Sequence, residues 1–115
     1  MSPRSWKLRV EDILQSIEDV ETFTSGQTFQ EFESDRKTYF AVIRSLEILG
    51  EASHHVPDAI KKNHPDIPWR KMKDFRNVLI HEYFGVDPEI VWATLQNELI
   101  PLREKLKAML DEDGE

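Results

Sequence analysis

The sequence predicts an all-α protein, an up-and-down bundle of four to five helices. Apolar residues recur at steps of three and four along most of the 115-residue chain, which is the spacing of one helix face. Residues typical of helix starts and ends separate these periodic segments. No stretch of five residues between turn signals alternates apolar and polar side chains, so we predict no strand.

The first predicted helix runs from about Ser5 to Thr24 and ends at Ser25-Gly26. Its apolar stripe comprises Trp6, Val10, Ile13, Ile17 and Val20. The sequence Thr28-Phe29-Gln30-Glu31 then has the spacing of a capping box and predicts a single helical turn.

A second long helix is predicted from an N-cap at Ser34 to His55. One stripe carries Tyr39, Val42, Leu46 and Leu49, and Phe40, Ile43 and Ile48 widen it. We therefore expect this helix to be covered on more than one side. A short helix opens at Pro57-Asp58 and stops before Pro65.

The third long helix is predicted from Trp69 to Ile80, broken by Gly85. Asp87-Pro88 then supplies an N-cap followed by proline at the first helical position. The last helix carries Val91, Leu95, Leu99, Leu102, Leu106 and Met109 on one stripe. Pro101 should kink it, because proline cannot donate to the carbonyl four residues earlier. We expect one domain over 1–110 and a frayed acidic tail over 111–115.

The composition narrows the class of protein. Without cysteine there is no disulfide framework, thiolate metal site or cysteine nucleophile. No apolar run approaches the roughly 20 residues that cross a bilayer, and the N-terminal residues lack the apolar core of a signal peptide. We therefore expect a cytoplasmic protein that is neither secreted nor inserted in a membrane. A chain of this size also has little area for a deep cavity of its own, which favours a site shared between subunits.

The charge is unevenly distributed. The net charge of −7 argues against a general nucleic-acid coat, yet the segment from Lys61 to Arg76 holds six basic residues and two acidic ones. This basic segment is compatible with a polyanion bound at one site, and equally with a solvated helix face.

One metal-binding alternative stays open on sequence grounds. Glu51 and His54 form the Glu-x-x-His pair of di-iron helical bundles, with Glu47 one turn earlier. The chain has only one such pair, so a full site would need a symmetric dimer. The alternative is a polar stripe of Arg44, Glu47, Glu51 and His54, either solvated or lining a groove opposite a partner.

The segment from Lys71 to Gly85 offers more chemistry, since the sequence has no P-loop, GxSxG, GxGxxG or HExxH motif. On a regular helix Asn77 and His81 share one face, and Arg76 lies nearly in line with Tyr83. Arg76 and His81 lie about 140° apart, so they converge only if the helix ends near His81 or if the second member comes from another subunit.

These residue types suit RNA cleavage. A histidine moves protons near neutral pH, and an asparagine amide one turn earlier could hold its ring. The arginine fork binds phosphodiester oxygens and stabilises their growing charge. RNA supplies its own nucleophile, the ribose 2′-OH. Taken alone, such residues near a helix end are also typical of a capping cluster.

The motif Arg76-Asn77-x-x-x-His81-x-Tyr83 resembles the R-x4-H-x-Y signature of the HEPN superfamily, specifically its HepT-like toxin subfamily. The resemblance extends in the same order over most of the chain from Ser34 to Leu99. It also includes Lys37-Thr38-Tyr39, Ile43-Arg44-x-Leu46-Glu47-Ile48-x-Gly50-Glu51-Ala52, Ile67-Pro68-Trp69-Arg70-Lys71, Leu79-x-His81-Glu82-Tyr83-Phe84-Gly85-Val86 and Ile90-Val91-Trp92.

The resemblance implies a homodimer in which two copies of the motif form one metal-independent ribonuclease site. Arg76 and His81 would be catalytic, Asn77, Tyr83 and Glu51 would support them, and no cofactor or metal would be needed. A minimal nucleotidyltransferase antitoxin would adenylylate Tyr83. The protein would then be the toxin of a type VII-like toxin–antitoxin pair, an endoribonuclease that cleaves tRNA or mRNA.

Two other functions stay open at this stage. A HEPN subunit without catalysis could position substrate or nucleotide for a nucleotidyltransferase partner, although it would have no chemical need for Arg76, His81 and Tyr83 together. A purely structural helical dimerisation module is the third. An adjoining nucleotidyltransferase reading frame would favour the ribonuclease toxin and the non-catalytic HEPN subunit over the dimerisation module.

Overall fold

The computed structural model describes residues 5–82 and 86–113 and is all-helical over them, as predicted. Seven helices and no strand are present in these two ranges. The helices are α1 (Trp6–Thr24), α2 (Phe29–Ser34), α3 (Arg36–His54), α4 (Asp58–Asn63), α5 (Trp69–Glu82), α6 (Pro88–Asn97) and α7 (Leu99–Asp113).

The central element of the bundle is α3. Its most extensive contact is with α1 on one side, and α5 packs against it on the other. Helix α7 packs against α1 and α6, while the short α2 lies between α3 and α6. The second long helix is thus covered on two sides, as its wide apolar stripe predicted.

The core contains most residues of the stripes predicted from helical spacing, together with six residues outside those stripes: Phe32, Ala52, Val56, Ile67, Met72 and Leu79. Along α1 the core-facing residues from Val10 to Val20 are fully buried, and α3, α5, α6 and α7 each contribute fully buried residues. Fully buried members are Val10, Ile13, Ile17, Val42, Leu79, Val91 and Leu106. Burial of such side chains stabilises the bundle by about 1.5 to 3 kcal/mol each.

The helix starts follow local hydrogen bonding. The Ser5 hydroxyl accepts from the backbone of Lys7, and Thr28 and Glu31 form the complete capping box that their spacing predicted. The predicted N-cap of α3 at Ser34 is wrong. The Asp35 carboxylate caps α3 by accepting from the backbone N–H of Thr38 at 3.1 Å and its hydroxyl at 2.6 Å. Ser34 instead ends α2, and its hydroxyl donates to the Gln30 carbonyl.

The last predicted helix is two helices. Asp87 caps α6, with Pro88 in its first turn as predicted, but α6 ends at Asn97 and α7 begins at Leu99. Pro101 falls in the first turn of α7, where a missing N–H costs least, so the chain divides at Glu98 instead of bending within one helix. Helix α7 then continues to Asp113, into the segment expected to be frayed.

The Tyr39 hydroxyl of α3 donates to the carbonyl of Val86 at 3.1 Å, which ties the start of the α6 connection to α3. Burial of the ring, followed by the nearby Asp87 charge, raises the pKa of Tyr39.

Within the described ranges, no helix combines the length and the apolar composition needed to span a bilayer.

Candidate active site on helices α3 and α5

Arg76 of α5 crosses α3 at a glycine. A Cβ atom placed on Gly50 would lie 2.4 Å from the Arg76 Cβ and 3.0 Å from its Cγ. Only glycine therefore permits this approach of the two helices. The aliphatic stem of Arg76 lies across the Gly50 backbone, and its side chain is 21% exposed.

The Arg76 guanidinium is held by a carboxylate of α3. Its Nη2 lies 2.7 Å from Oε1 of Glu51, whose side chain is 50% exposed. Its Nη1 donates to Oδ1 of Asn77 at the longer distance of 3.5 Å. The buried Nε finds no acceptor among the described residues. Glu51 is thus the principal anchor of the arginine fork.

Glu51 also contacts a histidine. Its Oε2 lies 3.0 Å from Nε2 of His55, one turn further along the chain. The pKa of the Glu51 carboxyl lies below its ordinary value, chiefly because of the hydrogen bond from His55 and further because of the Arg76 charge, while partial burial opposes both. The carboxylate is therefore ionised at neutral pH and bridges His55 to Arg76.

The predicted site residues are only partly brought together. Arg76, Asn77 and Glu51 form one contiguous cluster. His81 lies within α5, but its side chain is outside the described part of the structure, and Tyr83 lies outside the described residues altogether. The expected alignment of Tyr83 with Arg76 falls there too.

Helix α5 is longer than the sequence predicted. The helix was expected to end at Ile80, yet it continues to Glu82. Positions 76 and 81 therefore both belong to a regular helix and point about 140° apart around its axis, whereas positions 77 and 81 share a face. Within the described part of α5, the helix does not end between Arg76 and His81.

The Glu-x-x-His metal alternative gains no support from the geometry. Glu51 contacts His55 and Arg76, while His54 is exposed and its ring lies against that of His55, with centroids 5.4 Å apart. Among the described residues, no group of three or more His, Asp or Glu side chains could hold a metal ion.

The polar stripe of α3 lines a groove with α1. The cavity measures about 410 Å³ and is bordered on α1 by Arg9 and Asp12. Across it, Arg44 forms an ion pair with Glu47 at 3.3 Å, next to the exposed Ile48. Arg44, Glu47 and Glu51 of the predicted stripe border this groove within one chain, whereas His54 does not, and Glu51 also contacts Arg76.

A larger cavity of about 730 Å³ lies between α3, α5, α6 and α7. Its lining is mainly apolar, including Leu46, Met72 and Phe75, and neither Arg76 nor Glu51 belongs to it. Its polar lining residues include Lys71, Lys105 and Glu98, and Lys71 and Glu98 form an ion pair, but none of the predicted site residues lines it.

Two residues of the site were missed in the sequence. Gly50 appeared only within the family-like segment, and His55 was passed over because His54 has the Glu-x-x-His spacing. The signal for His55 was available, since residues four apart on a helix are neighbours. The approach of α5 to Gly50 is a tertiary contact that no local pattern encodes.

The amino-acid sequence matches a known family of ribonucleases. The family model described as "Ribonuclease HepT-like" matches residues 13–109. The chain therefore belongs to the HepT-like family, within the HEPN superfamily.

Individual relatives cover nearly the whole chain. A protein of Thermococcus cleftensis with the name "Probable ribonuclease HepT" is 47% identical over 106 residues, which are 92% of this chain and 96% of that protein. A protein of Methanocaldococcus jannaschii whose name includes the word RNase is 42% identical over 90% of this chain and 87% of its own. A similarly named protein of Caldanaerobacter subterraneus is 36% identical over 90% and 93%. No solved structure matched the chain.

Proposed function

We propose that this protein is a metal-independent endoribonuclease and the toxin of a type VII-like toxin–antitoxin pair, active as a homodimer on tRNA or mRNA. Membership of the HepT-like ribonuclease family supports the ribonuclease activity. The Arg76 cluster supports the chemistry, because an anchored, permanently charged guanidinium suits a phosphodiester.

In the proposed reaction the ribose 2′-oxygen attacks the adjacent phosphorus. The bond from O2′ to phosphorus forms, the bond from phosphorus to O5′ breaks, and a 2′,3′-cyclic phosphate results. His81 takes the 2′-OH proton or returns one to the leaving O5′, and Asn77 supports it. Arg76 stabilises the charge that grows on the nonbridging oxygens. Glu51 holds Arg76 in place, and its carboxylate contacts the Arg76 guanidinium and the His55 ring.

The main observation that supports a site shared between two subunits is that α5 continues through Glu82. Since positions 76 and 81 diverge on one helix, a catalytic pair is best assembled from two copies of α5. Apolar side chains exposed beside the cluster support such an interface: Ile48 borders the polar groove, and Val78 follows Asn77.

The mechanism predicts the products of cleavage. Purified protein incubated with RNA in EDTA should cleave it and leave 2′,3′-cyclic phosphate or 3′-phosphate ends, which end-specific phosphatase and ligation assays distinguish. His81→Ala should lose about 10²- to 10⁴-fold in rate. Products with 3′-hydroxyl ends, or activity that needs an added divalent ion, would show that the mechanism is wrong.

Neutralisation by a nucleotidyltransferase antitoxin is proposed to act at Tyr83. Adenylylation would add a phosphodiester on the arginine side of the motif, where it would occupy Arg76 and repel RNA. Incubation with the nucleotidyltransferase and ATP should raise the mass of the wild-type chain by AMP and stop cleavage, whereas Tyr83→Phe should escape both. Tyr39→Phe is the matched control, because it removes the other tyrosine hydroxyl. Equal modification of wild type and Tyr83→Phe would refute this regulation without touching the ribonuclease proposal.

A further inference from the structure

We infer that His55 is a positioning residue of the proposed ribonuclease site, acting through Glu51 to fix the Arg76 guanidinium. The inference rests on the proposed function for its catalytic consequence. The contacts themselves are independent of that function.

The two oxygens of the Glu51 carboxylate contact different partners. Oε2 lies 3.0 Å from the His55 ring nitrogen and Oε1 lies 2.7 Å from the Arg76 Nη2. Because an ionised carboxylate only accepts hydrogen bonds, the Nε2–H of His55 must donate. His55 and Arg76 therefore do not compete for Glu51, and each fixes one end of the carboxylate.

Glu51 needs this second contact to be a rigid anchor. Its side chain is 50% exposed, so an ion pair with one partner would leave several side-chain conformations available. His55 is the C-cap of α3, where its backbone N–H bonds to the Ala52 carbonyl, and the next residue, Val56, is buried in the core. The imidazole thus reaches Glu51 from a fixed point of the backbone.

Arg76 depends on Glu51 in turn. The Nη1 contact to Asn77 is long, and Nε has no acceptor among the described residues. Loss of the Glu51 anchor would leave the guanidinium free to rotate away from the phosphate. A displacement of about 1 Å in a group that acts on the transition state costs up to roughly 10²-fold in rate.

The contact is tested first without RNA. Carbon-detected NMR of protein labelled at the Glu carboxyl carbons gives the pKa of Glu51 in wild type and variants. His55→Ala should raise that pKa, because it removes the hydrogen bond that lowers it most. His55→Gln should keep it near the wild-type value, since the glutamine amide donates from about the same reach. His54→Ala is the matched control and should change nothing. The other charged residues bordering the groove, Arg9, Asp12, Arg44 and Glu47, are the same in every variant.

The catalytic consequence is tested on RNA. His55→Ala should lower kcat about 10- to 100-fold with little change in KM, since the role lies in the transition state. His55→Gln should stay within a few-fold of wild type, as should His54→Ala.

The two measurements separate the possible failures. An unchanged Glu51 pKa in His55→Ala overturns the inference whatever the cleavage assay gives. Wild-type rates in His55→Ala, or rates in His55→Gln as low as in His55→Ala, also overturn it. If wild type does not cleave RNA, the proposed function fails, while the pKa still decides whether His55 holds Glu51.

Discussion

At the scale of single residues, the site depends on one contact between a glycine and an arginine. Gly50 lets the Arg76 stem lie against the backbone of α3, and this places the guanidinium beside Glu51. The residue that binds phosphate in the proposed mechanism thus also forms part of the packing between α3 and α5. Substitutions at this crossing should change both stability and activity.

Gly50→Ala tests this contact, because two effects of opposite sign compete. Helix propensity alone favours alanine by about 1 kcal/mol. The new methyl group would meet the Arg76 Cβ at 2.4 Å, and that atom cannot move unless α5 moves. We therefore expect a net loss of about 1 to 3 kcal/mol in the free energy of unfolding, measured with denaturant.

A second variant identifies the clash. Arg76→Ala keeps its Cβ, so the double variant Gly50→Ala/Arg76→Ala should not recover the stability lost through Gly50→Ala. A stabilised Gly50→Ala protein would show that the two helices do not approach this closely in solution.

At the scale of helices, the sequence was a good guide wherever a short-range pattern decides the outcome. The capping box at Thr28, the Asp87 cap and the α1 stripe all follow from spacing, because each involves residues within a turn or two of one another. The errors fall where two local choices are close in energy. Ser34 and Asp35 are both good caps, and Asp35 prevails through its two hydrogen bonds to Thr38.

The last residue of α5 and the helix break at Glu98 could not be predicted from the sequence, because the local signals there limit a helix without fixing its boundary. Gly85 predicts that α5 ends before residue 85 but does not predict its last residue. The helix includes two residues beyond the predicted end, so position 81 belongs to it. Pro101 indicates that the helix is either kinked or broken nearby, and the tertiary contacts decide between the two. Glu98, at the break, forms an ion pair at 2.6 Å with Lys71 of α5.

At the scale of the whole molecule, one chain presents the arginine cluster and the His81 position in different directions on α5. An acidic body with net charge −7 also offers little general attraction for RNA. A cleft between two copies would bring together two Arg76 side chains, each already anchored by its own Glu51. Dimerisation is therefore expected to be required for activity.

Mixing two inactive variants tests whether the site is shared. Arg76→Ala and His81→Ala should each be inactive as pure proteins, provided that circular dichroism shows intact helices. If each catalytic pair combines Arg76 of one subunit with His81 of the other, random mixing makes half of the dimers mixed, and each mixed dimer has one intact pair. Mixtures refolded together should then regain about a quarter of the wild-type cleavage rate.

Co-purification of differently tagged chains verifies that mixed dimers form. Mixed dimers that stay inactive would show that the two residues act within one chain, and a wild-type chain that is monomeric and active by light scattering would exclude the shared site.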